Sequence, residues 1–285
     1  MTSILPPIVD TAWLASQLNA PDLVLFDASA YMPAEGKDGR AEYLTAHIPG
    51  ARFFDVDDIA DPDTDLPHMV PSQGRFARLV RALGVSNGSR IVCYDQKGLF
   101  SAARCWWLFR LFGHDQVAVL DGGLPKWQAE GRPVLAGAEV AASPGDFRPN
   151  FRAALLRGLG DMRRNAENPV ELVLDARSRE RFDGTAPDPR AWLPSGHMPG
   201  SVSLPYPDLL NPDKTYKSVE SLRALFSAVG VDGQRPVVSS CGSGLTACIL
   251  SLGLAVAGLP AGAIYDGSWT EWAGQPDVPI IPAPK

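Results

Sequence analysis

The chain is poor in the residues that build disulfide frameworks and metal sites. It has four cysteines (Cys93, Cys105, Cys241, Cys248) and four histidines (His47, His68, His114, His197) among 285 residues. So few cysteines in so long a chain do not make a disulfide scaffold, and no two have Cys-x-x-Cys spacing. The histidines are scattered without metal-ligand spacing, so neither a metal nor a cofactor is expected. Long apolar runs are missing as well, and none reaches the about 20 residues of a membrane span. Basic charge is not in excess; the net charge of −6 argues against an extended nucleic-acid surface. Residues 1–10 lack a basic segment followed by an apolar one, so no signal peptide is expected. A reducing cytoplasm is the expected compartment.

What is there is said twice. Val24-Leu25-Phe26-Asp27-Ala28 matches Leu172-Val173-Leu174-Asp175-Ala176, and His47-Ile48-Pro49-Gly50 matches His197-Met198-Pro199-Gly200. Ile91-Val92-Cys93-Tyr94-Asp95 before Gly98 matches the run from Val237 to Cys241 before Gly244. Asp121-Gly122-Gly123 with Trp127 matches Asp266-Gly267-Ser268 with Trp272. The offsets are 148, 150, 146 and 145 residues, in the same order, which makes a duplication the economical reading. The length agrees with two domains. We expect domains at 1–135 and 153–285, joined by a linker at 136–152 that is rich in Ala, Gly and Pro.

Each half alternates short apolar strands with helical patterns. Strands are expected at 23–26, 90–94, 117–120, 172–174, 237–239 and 263–265. Helices are expected at 11–18, 73–83, 101–111, 219–229 and 246–257. Such alternation argues for an α/β fold, each half a mostly parallel sheet covered by helices on both faces. Residues 55–71, acidic and with three prolines, read as an ordered loop. Trp106 and Trp107 lie in an apolar helical run and are expected in the core; Cys93, Cys105 and Cys248 read as packing cysteines.

Ligands in sheets of this kind collect at the carboxyl ends of strands, and Cys241 stands at such an end. The stretch Cys241-Gly242-Ser243-Gly244-Leu245-Thr246 reads as a tight loop between a strand and a helix. Its glycines let the backbone turn its N–H groups inward, and the helix start adds a positive dipole end. A cysteine so placed is expected to ionise near neutral pH and act as a nucleophile; the alternative is a buried structural cysteine. A phosphatase would need an arginine six residues after its cysteine, where this chain has Ala247.

These features together resemble the two-domain rhodanese sulfurtransferase family, over nearly the whole chain. The resemblance rests on the tandem repeat, on His-x-Pro-Gly in both halves, on the Asp-Gly-Gly and Asp-Gly-Ser turns, and on a cysteine in the second half only. The loop spelling is most similar to the family's 3-mercaptopyruvate branch, which has Cys-Gly-Ser/Thr-Gly-Val-Thr; Leu245 for Val is a small departure. Thiosulfate-using members tend to have Cys-Arg-Lys-Gly-Val-Thr, so a thiosulfate sulfurtransferase, or a non-catalytic carrier of sulfane sulfur, is the alternative.

The resemblance implies that sulfur passes from 3-mercaptopyruvate through a Cys241 persulfide to a thiol such as thioredoxin, or to cyanide, with release of pyruvate. Backbone N–H groups of Gly242, Gly244, Leu245 and Thr246 would face the substrate and the sulfur. Arg181 and Arg190, in Arg-Phe-Asp-Gly-Thr-Ala-Pro-Asp-Pro-Arg, match a segment whose arginines hold the substrate carboxylate and carbonyl. The planar fork of arginine suits a carboxylate. The family also implies a proton relay of Ser243, His47 and Asp38. His197 occupies the same motif place as His47, so a shared structural hydrogen bond is the competing explanation. Asp95 stands where the second half has Cys241 and cannot carry a persulfide, so the first half is expected to be catalytically silent.

Overall fold

Strand segments such as Ile91-Val92-Cys93 and Leu172-Val173-Leu174 are buried throughout, as parallel strands covered on both faces must be. In the computed structural model, which describes residues 4–138 and 141–281, these segments form two α/β units. The first takes the described chain up to Asp63, then Val70–Arg152 and Asn211–Tyr216. The second takes Thr64–Met69, Ala153–Leu210 and the described chain from Lys217 onward.

The first unit holds strands β1 (Ile8–Val9), β2 (Leu23–Asp27), β3 (Ala51–Phe53), β4 (Arg90–Tyr94) and β5 (Val117–Leu120), all parallel, in the order β1-β5-β4-β2-β3. The second repeats the plan with β6 (Leu156–Arg157), β7 (Leu172–Asp175), β8 (Ser201–Ser203), β9 (Val237–Ser240) and β10 (Ala263–Tyr265), in the order β6-β10-β9-β7-β8. The six expected strands appear within a residue of their expected bounds. The other four are two or three residues long, too short to show a period of their own.

The helix Ala102–Leu111 packs on β4 and β5, and its counterpart Ala247–Val256 packs on β9 and β10. Side-chain caps set several other helix starts. Ser72 accepts from Arg75 N–H ahead of Gln73–Ala82, and Ser218 from Ser221 N–H ahead of Val219–Ala228. Trp106 and Trp107 are in the core, as expected.

The His-x-Pro-Gly motif does the same work in both units. His47 stacks on Tyr43 at 4.1 Å, holds the Tyr43 carbonyl through Nδ1 at 2.9 Å, and bridges to Leu135. His197 stacks on Phe182 at 3.8 Å, holds the Phe182 carbonyl at 2.8 Å, and bridges to Ile281. Gly50 and Gly200 follow at φ +81° and +73°, a turn that other residues adopt only with strain.

Two stretches differ from their expected form. The segment expected as a linker, 136–152, belongs to the first unit; residues 139–140 lie outside the described residues. Its backbone bonds to Arg81, Val85, Phe112 and Leu111, and Phe147 is buried against Phe76, Phe109 and His114. Phe151 also packs, against Phe112 at 5.8 Å, so two aromatics in a run of small residues convert a tether into a packed strap. The acidic stretch 55–71 contains one helical turn, Val56–Ile59, started by the Asp55 carboxylate accepting from the N–H groups of Asp57 and Asp58. No helix among the described residues is long and apolar enough to cross a membrane.

Candidate active site

β9 delivers Cys241 to the carboxyl edge of the second sheet, and the loop 241–246 leads into the helix Ala247–Val256. Gly244 adopts φ +74°, as Gly98 adopts +99° in the first unit. This is the left-handed turn that glycine makes without a Cβ penalty. Cys241 is 1 % exposed and Ser243 5 %, so the sulfur lies at the floor of its loop. Cys248 is buried in the first turn of the helix, its thiol donating to the Gly244 carbonyl at 3.3 Å. Cys93 and Cys105 are also buried, and burial pushes the Cys105 thiol up. Among the described residues, no cluster of three His, Cys, Asp or Glu suits a metal.

The first unit shows what such a loop can hold. The Asp95 carboxylate accepts from the N–H groups of Lys97 (3.0 Å), Phe100 (2.7 Å), Ser101 (3.0 Å) and Ala102 (2.9 Å). Those residues align with Ser243, Thr246, Ala247 and Cys248. The same backbone turn therefore cradles an anion belonging to its own first residue. In the second unit that residue is a cysteine, and the N–H groups of Ser243, Leu245 and Thr246 have no acceptor among the described residues.

Two cations stand beside the loop. A Cβ placed on Gly242 would lie 3.4 Å from Arg181 Nη2 and 3.6 Å from Arg190 Nη1. Arg181 comes from the short helix Arg179–Asp183, started by Ser178, and Arg190 from the Pro-rich turn that follows. Asp188 holds both: it accepts from Arg181 Nη2 at 2.5 Å and from Arg190 N–H at 3.0 Å, with Arg190 Nη1 at 3.8 Å. Arg181 Nε is buried without an acceptor among the described residues, a donor suited to an incoming carboxylate or carbonyl. Arg177, by contrast, is spent on Asp175, the Gly196 carbonyl and the face of Trp269.

The underside of the loop is pinned by the start of the helix Ser268–Ala273. Ser268 Oγ accepts from the N–H groups of Cys241 and Gly244, both at 3.1 Å, and donates to the Tyr265 carbonyl at 2.8 Å. Trp269 N–H bonds the Cys241 carbonyl at 3.0 Å. Thr270 bonds the Gly242 carbonyl twice, through N–H at 3.0 Å and through its hydroxyl at 2.6 Å.

The second unit thus brings Cys241, Gly242, Arg181 and Arg190 together around one loop. His47 and Asp38 lie in the first unit, at opposite ends of the helix Gly39–Thr45. Asp38 caps that helix by accepting from Ala41 N–H at 2.7 Å, and His47 is 2 % exposed with Nδ1 on Tyr43. No Asp38–His47 hydrogen bond is made. A helix of that length separates its ends by about 10 Å. Nothing in the sequence marks Asp188, Ser268 and Thr270 as site residues. The Asp-Gly-Ser turn signalled the repeat but not its bonds to the loop.

Residues 10–130 and 159–275 each match the rhodanese-like domain. The chain belongs to the rhodanese family. Its relatives include thiosulfate/3-mercaptopyruvate sulfurtransferase 1, mitochondrial, of Arabidopsis thaliana, 45 % identical over 96 % of this chain and 78 % of the relative. The 3-mercaptopyruvate sulfurtransferase of Homo sapiens is 42 % identical over 93 % of this chain and 91 % of the relative. Among solved structures, SseA of Escherichia coli, described as a 3-mercaptopyruvate sulfotransferase with the rhodanese fold, superposes with a TM-score of 0.84. That match has 34 % identity and covers 93 % of this chain and 99 % of SseA. Both rhodanese domains are present here, and only the second carries cysteine at the loop position.

Proposed function

We propose that the protein is a sulfurtransferase whose donor is 3-mercaptopyruvate. The observation that carries this reading is the pair of guanidinium groups against Gly242, next to Cys241, in a loop with no cationic side chain of its own. Arg181 and Arg190 bind the donor's carboxylate and carbonyl and bring its sulfur to Cys241. The Cys241 thiolate attacks that sulfur. The carbon–sulfur bond breaks, its electron pair leaves with the pyruvate enolate, and the sulfur stays on Cys241 as a persulfide. Charge developing on the enolate oxygen is met by the arginines, and the persulfide anion by the loop N–H groups. The enolate takes a proton to become pyruvate. An acceptor thiolate, from a thiol protein such as thioredoxin, or cyanide, then attacks the outer sulfur and frees Cys241. With Nδ1 of His47 committed to Tyr43, proton transfer through that histidine would use Nε2. All four cysteines are free thiols, which suits a reducing compartment such as the cytoplasm.

The test is intact-protein mass before and after 3-mercaptopyruvate, with pyruvate release measured in parallel. One added sulfur that cyanide removes is expected, and Cys241→Ala should neither gain sulfur nor turn over. A Cys241→Ala protein that kept a tenth of the rate would overturn the mechanism. Comparable efficiency with thiosulfate and 3-mercaptopyruvate would overturn the choice of donor.

A further inference from the structure

The loops at Asp95 and Cys241 share a backbone shape but cannot share a support. In the first unit the Asp95 carboxylate fills the interior and ties the loop N–H groups together from within. In the second unit the interior must admit a transferred sulfur, so the loop has to be held from outside. One outside contact is common to both: Leu124 N–H bonds the Asp95 carbonyl at 3.1 Å, as Trp269 N–H bonds that of Cys241 at 3.0 Å. The next is not. Thr270 aligns with Pro125, which has neither a peptide N–H nor a hydroxyl to give.

We infer that Thr270 is a positioning residue for sulfur transfer, acting through the Gly242 carbonyl to aim the Ser243 N–H at the Cys241 sulfur. The peptide joining Gly242 to Ser243 is planar and trans, so its C=O and N–H point opposite ways. Two donors from one residue fix that carbonyl, and with it the direction of the following N–H. Gly242 is where such a clasp matters most, because without a Cβ its backbone is freest to turn. The equivalent N–H in the first unit, that of Lys97, points inward to Asp95 Oδ1 at 3.0 Å. Thr270 is 3 % exposed, and its hydroxyl proton is used in this bond, so it acts through the loop and does not touch the donor.

The inference rests on Cys241 being the sulfur carrier, and the experiment separates the two. Single-turnover persulfide formation is followed by intact mass across a range of pH for the wild type, Thr270→Val and Thr270→Ser. Valine keeps the shape and the N–H bond but removes the hydroxyl; serine keeps the hydroxyl. Thr270→Val should shift the midpoint of the rate–pH curve upward by about one unit and lower kcat about tenfold, with KM little changed. Thr270→Ser should stay close to the wild type in both. A valine variant with the wild-type midpoint and kcat, or a serine variant as impaired as valine, would overturn the assignment. Failure of the carrier reading looks different: the wild type would gain no sulfur, or Cys241→Ala would still gain it.

Discussion

A side chain at position 242 would begin 3.4 Å from one guanidinium and 3.6 Å from the other. An arginine there adds a third cation against Arg181 and Arg190, which already share one acid, Asp188. Like charges so juxtaposed cost several kcal/mol, by displacing the pair or weakening its grip on a monoanion. Gly242→Arg should therefore lower kcat/KM for 3-mercaptopyruvate by more than about tenfold. It should also raise the ratio of thiosulfate to 3-mercaptopyruvate efficiency, since a dianion gains from a cation in the loop. Steady-state kinetics with both donors checks this, and an unchanged ratio would refute the argument. At this scale the sequence is informative where a residue's chemistry is read from its neighbours: Cys241 at the end of a short strand pattern and ahead of two glycines, Arg181 and Arg190 in one short motif. Thr270 is illegible because its partner lies 28 residues away and its own neighbours read as an ordinary helix. Asp188 is illegible because an acid between two prolines looks like loop. His47 offers two readings in the sequence, and the ring stacking that it shares with His197 belongs to the structural one.

Elements long enough to show a period are placed by it, and elements held only by tertiary contacts are not. The strap 141–152 is the clearest case of the second kind. Gly145 lies so close to the Val85 carbonyl that a Cβ would sit 2.0 Å from its oxygen, and Phe147 N–H bonds that carbonyl at 3.2 Å. Further on, Arg152 pairs with Asp115 through two bonds of 2.7 Å. The Phe147 ring, 1 % exposed, closes an aromatic group with Phe76 at 5.8 Å and Phe109 at 6.1 Å. Phe147→Ala should cost about 3–5 kcal/mol, as a buried ring removed from a packed core does. Urea unfolding should show a lowered midpoint, while kcat under native conditions stays near the wild type, because the strap belongs to the first unit and Cys241 to the second. A loss below about 1 kcal/mol would mean that the strap is the surface tether its composition suggests.

Taken whole, the molecule is one plan executed twice, and the two copies handle the same buried acid differently. Asp175, at the end of β7, is paired with Arg177, which donates to both carboxylate oxygens at 2.7–3.0 Å. Asp27, its counterpart at the end of β2, is met by neutral donors, among them Ser29, Gln96 and the Tyr94 hydroxyl. Burial outweighs those bonds and pushes the Asp27 carboxyl up to about 6. Burial likewise raises Asp121, in the same unit, to about 6, against the hydrogen bond it accepts from Tyr216 N–H. An acid whose folded value lies above its unfolded 3.8 binds more protons folded than unfolded between the two. Its contribution to stability is full below the lower value and is lost as pH rises through about 6. For Asp27 the span amounts to about 3 kcal/mol. Asn mimics the neutral acid, so Asp27→Asn should compare similarly with the wild type at low pH and gain on it as pH rises. Urea unfolding of both proteins at several pH values from about 4 to about 7 reads that difference directly. A stability difference that stays flat over this range would show that Asp27 is ionised throughout.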